Sequence, residues 1–173
     1  MIASNIKTFW KNASKEAKHQ ADQLEATVVN LRFEGKVHFG KNIKSVMSSV
    51  KSLEHWIKLF FDVQDRIVFR FLKSHIPKTE SMLSFFQSEH NQLKQGLVNI
   101  DEAVELVAKT KSPVNRTRII AELKDRGVYL SCLLRKEIEV ECESIHRMIS
   151  QELKPDERGD LYVLMSKFIG RNG

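Results

Sequence analysis

Three prolines and seven glycines in 173 residues leave the chain poor in the residues that punctuate turns, which excludes a β protein built of many short strands. Two cysteines exclude a scaffold stapled by disulfides. Cys132 and Cys142 fall in one predicted helix, whose rise of about 1.5 Å per residue holds them on the order of 15 Å apart, too far to bridge. So few thiols point to a reducing cytoplasm. No run approaches the roughly 18 consecutive apolar residues of a membrane span, and Lys7, Lys11 and Lys15 break up the start, so neither a span nor a secretory signal is expected. A phosphate-cradling glycine loop, a Cys-x-x-Cys pair and a nucleophile with its base and orienter are missing too. No enzymatic activity is expected.

Leu, Ile, Val, Lys, Glu and Ser recur instead, a composition suited to long helices. The length suits one domain with its own core. Residues placed about 100° apart around a helix fall into four apolar stripes. The first covers about 6–33, through Ile6, Trp10, Ala13, Ala17, Leu24, Val28 and Leu31, and ends in the glycine-containing stretch 34–40. The second covers about 41–74, through Ile43, Val46, Val50, Leu53, Ile57, Phe60, Phe61, Val68 and Phe71, and stops before Pro77. A third runs over about 79–110, with Thr79 as N-cap and Met82, Phe86, Leu93, Leu97, Ile100 and Val104 inward. Ser112-Pro113 separates it from the fourth, about 115–152, which aligns Leu130, Leu134, Ile145 and Met148. Pro155-Asp156-Glu157 opens a short terminal helix to about 168. Short links make consecutive helices antiparallel. The expected fold is therefore all-α, a single up-down-up-down four-helix bundle over residues 1–173 with a short C-terminal helix.

Charge is unevenly spread. Residues 36–78 carry nine Lys and Arg against three Asp and Glu, while the remainder holds nineteen of each. Lys41, Lys44, Lys51, Lys58, Arg66, Arg70 and Lys73 place this excess on the second helix. Such a face is either ordinary solvated surface or a site for an acidic protein or nucleic acid.

Chemistry in a bundle comes from polar side chains that interrupt the apolar stripes. On the fourth helix Glu137 and Glu141 fall within about 20° of the line through Leu130 and Met148, where an unpaired carboxylate is costly. His90 shares the stripe of Phe86, Leu93 and Leu97, Gln64 lies beside Phe60 and Phe61, and Gln20 is the nearest inward polar residue of the first helix. One imidazole and two carboxylates form a candidate site for a single divalent metal, iron or another. The alternative is that the acids pair with His90 as imidazolium or with ordered water, or that one stays protonated at a raised pKa. Glu16-x-x-His19 and Glu143-x-x-His146 have the spacing of di-iron ligands but face solvent, Glu54 and His55 project outward or to the boundary, and His38 and His75 belong to helix ends. Cys132 and Cys142 are placed on the polar side or at the boundary.

Tyr129, Leu133-Leu134, Glu137, Glu141, Ile145-His146, Met148-Ile149 and the run Leu153-Lys154-Pro155-Asp156-Glu157 form a frame that resembles the hemerythrin-like proteins, which carry His-His-Glu cation-binding domains. The resemblance places Glu137 where that family has a ligand His and Glu141 where it has a carboxylate. Glu89-His90 is similar to a Glu-His pair whose His is a ligand. The family's His-His-x-Lys-Glu-Glu run aligns with Phe60-Phe61-Asp62-Val63-Gln64-Asp65, so that Phe60, Phe61 and Gln64 stand where ligands are lost, and the first helix offers Ala17 and Gln20 in place of a further His. The resemblance thus implies a bundle that has lost the full di-iron oxygen-binding centre. What remains is a metal- or ligand-binding or sensing module with His90, Glu137 and Glu141 as its site, or else a metal-free interaction or regulatory bundle that binds through the basic second helix.

Overall fold

Residues 2–31 and 36–172 are described in a computed structural model, with side chains from Thr8 to Leu31 and from Phe39 to Arg171. The side chains of Ile6 and His38 lie outside those residues, whereas the first helix, expected to reach about residue 33, ends at Val29, and the second begins at Lys36, inside the stretch 34–40 expected to separate them. Among the described residues all regular structure is helical. Helix α1 spans Ile2–Val29 and α2 spans Lys36–Val63, which passes into a π-helical turn, Gln64–Val68, and then into α3, Phe69–His75. A 3-10 turn, Pro77–Thr79, leads to α4, Glu80–Lys109, followed by α5, Pro113–Glu152, and α6, Pro155–Asn172. No described helix is long and apolar enough to cross a membrane.

Local chemistry sets the breaks. Ile76 leaves helical geometry at φ −134° and ψ 71°, as expected of a residue forced extended by the proline after it. Thr79, expected as the N-cap of the third helix, lies inside the 3-10 turn that leads into α4, its buried hydroxyl donating backwards to the Ile76 carbonyl at 2.7 Å. Ser112 does cap α5, its Oγ accepting the Asn115 N–H at 3.4 Å, with Pro113 in the first turn where its missing N–H costs nothing. At the start of α6 the Glu157 carboxylate accepts the Lys154 N–H at 2.7 Å.

The π turn corrects the expected stripe of the second helix. A π turn fits an extra residue into the helix, so the side chains beyond it rotate relative to α-helical spacing. Phe69 and Leu72 are fully buried as a result, and Phe71, expected inward, is only half-buried. Met82 is likewise half-buried, with Leu83 taking its place in the core.

The chain packs as two compact units, one of Met1–Glu16, Trp56–Asn91 and Glu137–Gly173, the other of Ala17–His55 and Gln92–Lys136. In the second unit Leu24, Val28, Leu53, Ile100, Leu123 and Leu134 are among the fully buried residues, each contributing roughly 1.5–3 kcal/mol by leaving water. There Arg135 of α5 donates to Asp22 of α1 at 2.9 Å and also to Glu25, while Gly127 of α5 lies against Val28. Positions thus rise along α1 as they fall along α5, the mark of an antiparallel pair. In the first unit Ile57, Phe61, Phe69, Leu72, Leu83 and Ile145 form the centre. Lys73 of α3 reaches Ser84 and Gln87 of α4, and Asp65 meets His90, so these neighbours are antiparallel too.

Candidate functional site

His90 follows Phe86 by four residues and precedes Leu93 by three, so α-helical geometry turns it inward within the first unit. It is 2% exposed. Its Nδ1 lies 2.8 Å from Asp65 Oδ1, and its Nε2 lies 3.0 and 3.1 Å from the two oxygens of Glu141, itself 2% exposed. A neutral imidazole has one N–H and cannot donate to both sides. Protonated, the ring donates from both nitrogens and its charge opposes two carboxylates. Burial pulls the His90 pKa down, but the hydrogen bonds and charges of Asp65 and Glu141 outweigh it and leave the value at about 8. Burial also raises the pKa of Glu141, opposed by its hydrogen bond to His90 and the imidazolium charge.

Aromatic rings cover the imidazole. Phe61 stacks on it at 3.7 Å between centroids with the planes 10° apart, and Phe69 lies at 5.6 Å. Gln64 is fully buried; its amide lies near enough to Glu141 to favour the charged carboxylate, yet neither amide atom has a hydrogen bond of proper geometry. The π turn itself contains Gln64 and Asp65, and so presents adjacent residues to a core that a regular helix would offer to one of them.

Glu137 departs from the expected site. It is half-buried, while its neighbour Ile138 occupies the core at 1% exposure. The apolar stripe of α5 is broader than the line from Leu130 to Met148; beside the expected Leu134 and Ile145 it takes in Leu123, Ile138, Cys142 and Ile149, and its centre lies roughly 50° to one side of that line. Glu141 falls within this stripe and Glu137 at its margin. There Glu137 hydrogen-bonds Glu89, and burial, that bond and the charges of Glu137 and Glu141 push the Glu89 pKa up to about 7. Cys142, expected on the polar side or at the boundary, is buried, and burial with the nearby Glu141 charge raises its thiol pKa, which makes it an inert packing residue.

His90 and Glu141 are thus brought together and Glu137 is not. No three His, Cys, Asp or Glu side chains among the described residues converge to hold a metal ion. Nor do the residues fit a di-iron centre: Phe60 and Phe61 bury rings where the resemblance places histidines, and both nitrogens of His90 are engaged by carboxylates. Ala17 and Gln20 are buried in the second unit. Of the basic residues, Lys41, Lys44 and Lys51 are exposed in the second unit, and Lys58, Arg66 and Arg70 in the first, whereas Lys73 is half-buried. Arg66 pairs with Asp62 at 3.6 Å.

Sequence reasoning missed Asp65 as a partner of His90 and Glu89 as the partner of Glu137. Each is the chain neighbour of an inward polar residue, Gln64 and His90, and that adjacency was the available signal. No family model matches this chain, and no curated protein or solved structure is significantly similar to it.

Proposed function

We propose that this chain is a non-enzymatic ligand-binding or sensing module, a hemerythrin-like up-down-up-down bundle whose inner polar site works by hydrogen bonding in place of a di-iron centre. The observation that carries this reading is the commitment of both His90 ring nitrogens to carboxylates, Asp65 at 2.8 Å and Glu141 at 3.0 Å. The antiparallel order of contacts within each unit supports the bundle topology. A buried charge left unpaired costs several kcal/mol, so the Asp65–His90–Glu141 chain holds one arrangement of the π turn, α4 and α5 within its unit. The test is metal content and visible absorption of protein isolated without chelators and again after anaerobic reconstitution with iron. Less than a tenth of an equivalent, on the order of adventitious binding, is the expected result, and one or two equivalents lost in Glu141→Ala would overturn the reading.

A second reading rests on the exposed basic residues of α2 and its continuation, with an acidic protein or nucleic acid as partner. Binding to single- or double-stranded nucleic acid should then weaken steeply with salt. A salt-independent or undetectable interaction rejects this version.

A further inference from the structure

A cavity of about 360 Å³ lies in the second unit between α4 and α5 and opens to solvent. Its two walls repeat one spacing. Gln92, Gln95, Gly96 and Asn99 stand at i, i+3, i+4 and i+7 and so share a face of α4. Arg126, Tyr129, Leu130 and Leu133 do the same on α5. A Cβ on Gly96 would lie 2.8 Å from a methyl carbon of Leu130, so the helices meet here, and the missing side chain of Gly96 leaves room beside the leucine. The short link of residues 110–112 turns α5 back along α4. Arg126 therefore lies at the Asn99 end of the cavity and Leu133 at the Gln92 end.

Charge and hydrogen bonding select a ligand class. Among the residues that line the cavity Arg126 alone is charged. It has no ion pair or hydrogen bond with any described residue; Glu122, one turn before it, pairs instead with Arg118 at 4.0 Å. Gln95 donates to the side-chain oxygen of Asn99 at 3.1 Å, which engages that oxygen and leaves the amide N–H groups of Asn99 to donate. A guanidinium offers a carboxylate two parallel N–H bonds, and one cation balances one negative charge, whereas a phosphate dianion would keep its second charge uncompensated. An organic ammonium would be repelled by Arg126, and a wholly apolar molecule would strip water from the guanidinium and return nothing. Leu130, buried, and Leu133, half-buried, supply apolar surface for the rest of the ligand. The volume falls within the roughly 300–1,000 Å³ of small-molecule sites.

We propose that this cavity binds a small organic carboxylate with an apolar body, its charge held by Arg126 and Asn99 and its body laid on Leu130 and Leu133. The inference goes beyond the reading of His90 and uses none of its residues. Its test is a titration of the full chain with phenylpropionate, with phenylpropanol and phenylpropylammonium as neutral and cationic counterparts and acetate as the bare charge, followed by NMR at the side-chain N–H groups of Arg126 and Asn99. A saturable shift is expected with phenylpropionate, about tenfold tighter than with the alcohol or with acetate, a difference of about 1.4 kcal/mol, and weakest with the ammonium. Arg126 is exposed, so Arg126→Gln should leave the fold intact; read at Asn99, it should lower phenylpropionate to the affinity of the alcohol and leave the alcohol unchanged. The proposal is overturned if phenylpropionate saturates neither signal, if the alcohol or acetate binds the parent chain as tightly, or if Arg126→Gln leaves the difference intact. Metal uptake at His90 would not affect any of these readouts, so this inference and the preceding reading fail separately.

Discussion

His90 is the residue on which the inner site turns, because an imidazolium 2% exposed is tolerable only with its partners in place. His90→Phe removes the cation and leaves Glu141 buried opposite hydrocarbon, so a loss of about 3–5 kcal/mol is expected in urea unfolding. Glu141→Gln keeps an acceptor for Nε2 and removes a costly buried charge; a loss nearer 1 kcal/mol is expected. Equal effects would show that the pair is not coupled. The pH dependence has a definite sign. The His90 pKa rises from 6.5 to about 8 on folding, so its contribution is complete below pH 6.5 and is lost as pH climbs through 8, on the order of 2 kcal/mol in all. Glu89, raised from 4.5 to about 7, acts in the same direction between those values, since the folded chain binds its proton more tightly. Melting temperature should therefore fall from pH 6 to pH 9, and His90→Phe should remove the part of the fall above pH 7. A melting temperature that rises over this range contradicts the assignment.

At the level of single helices, glycines report how closely neighbours approach. A Cβ on Gly127 would lie 2.8 Å and 3.0 Å from the two methyl carbons of Val28 and 3.2 Å from its Cβ. A β-branched side chain cannot swing aside, so Gly127→Ala should destabilise the chain by about 1–3 kcal/mol despite the better helix propensity of alanine. Gly40, also helical, has nothing within 4 Å of its would-be Cβ, and Gly40→Ala should stabilise by about 0.5–1 kcal/mol. Thermal unfolding of the two variants should move in opposite directions; stabilisation of both would mean that α1 and α5 do not meet at Gly127. Helices were the most legible level of the sequence. Apolar period and proline positions place α4, α5 and the start of α6 within a few residues, since burial and backbone chemistry act there over many positions together. The π turn at Gln64–Val68 was not legible, because one inserted residue leaves no compositional mark and only the rotated burial of Phe69 and Leu72 reveals it.

For the molecule as a whole, charge and hydropathy were informative about class and less so about the site. His90 and Glu141 could be found because a polar residue inside an apolar stripe is conspicuous, whereas Glu137 was placed too far inward because a stripe drawn through two residues has a poorly fixed centre. Asp65 was hidden by the π turn. The resulting cluster joins α4 and α5 to the π turn through an imidazolium between two carboxylates, and the whole reading depends on the ring being held that way. Side-chain nitrogen NMR of His90 in the full chain, recorded at pH 7 before and after one equivalent of zinc, tests this most directly. Protonation of both ring nitrogens, unchanged by the metal and lost only as the pH passes about 8, is the expected result. A His90 nitrogen that is bare at pH 7, or that shifts as it takes up zinc, would contradict it.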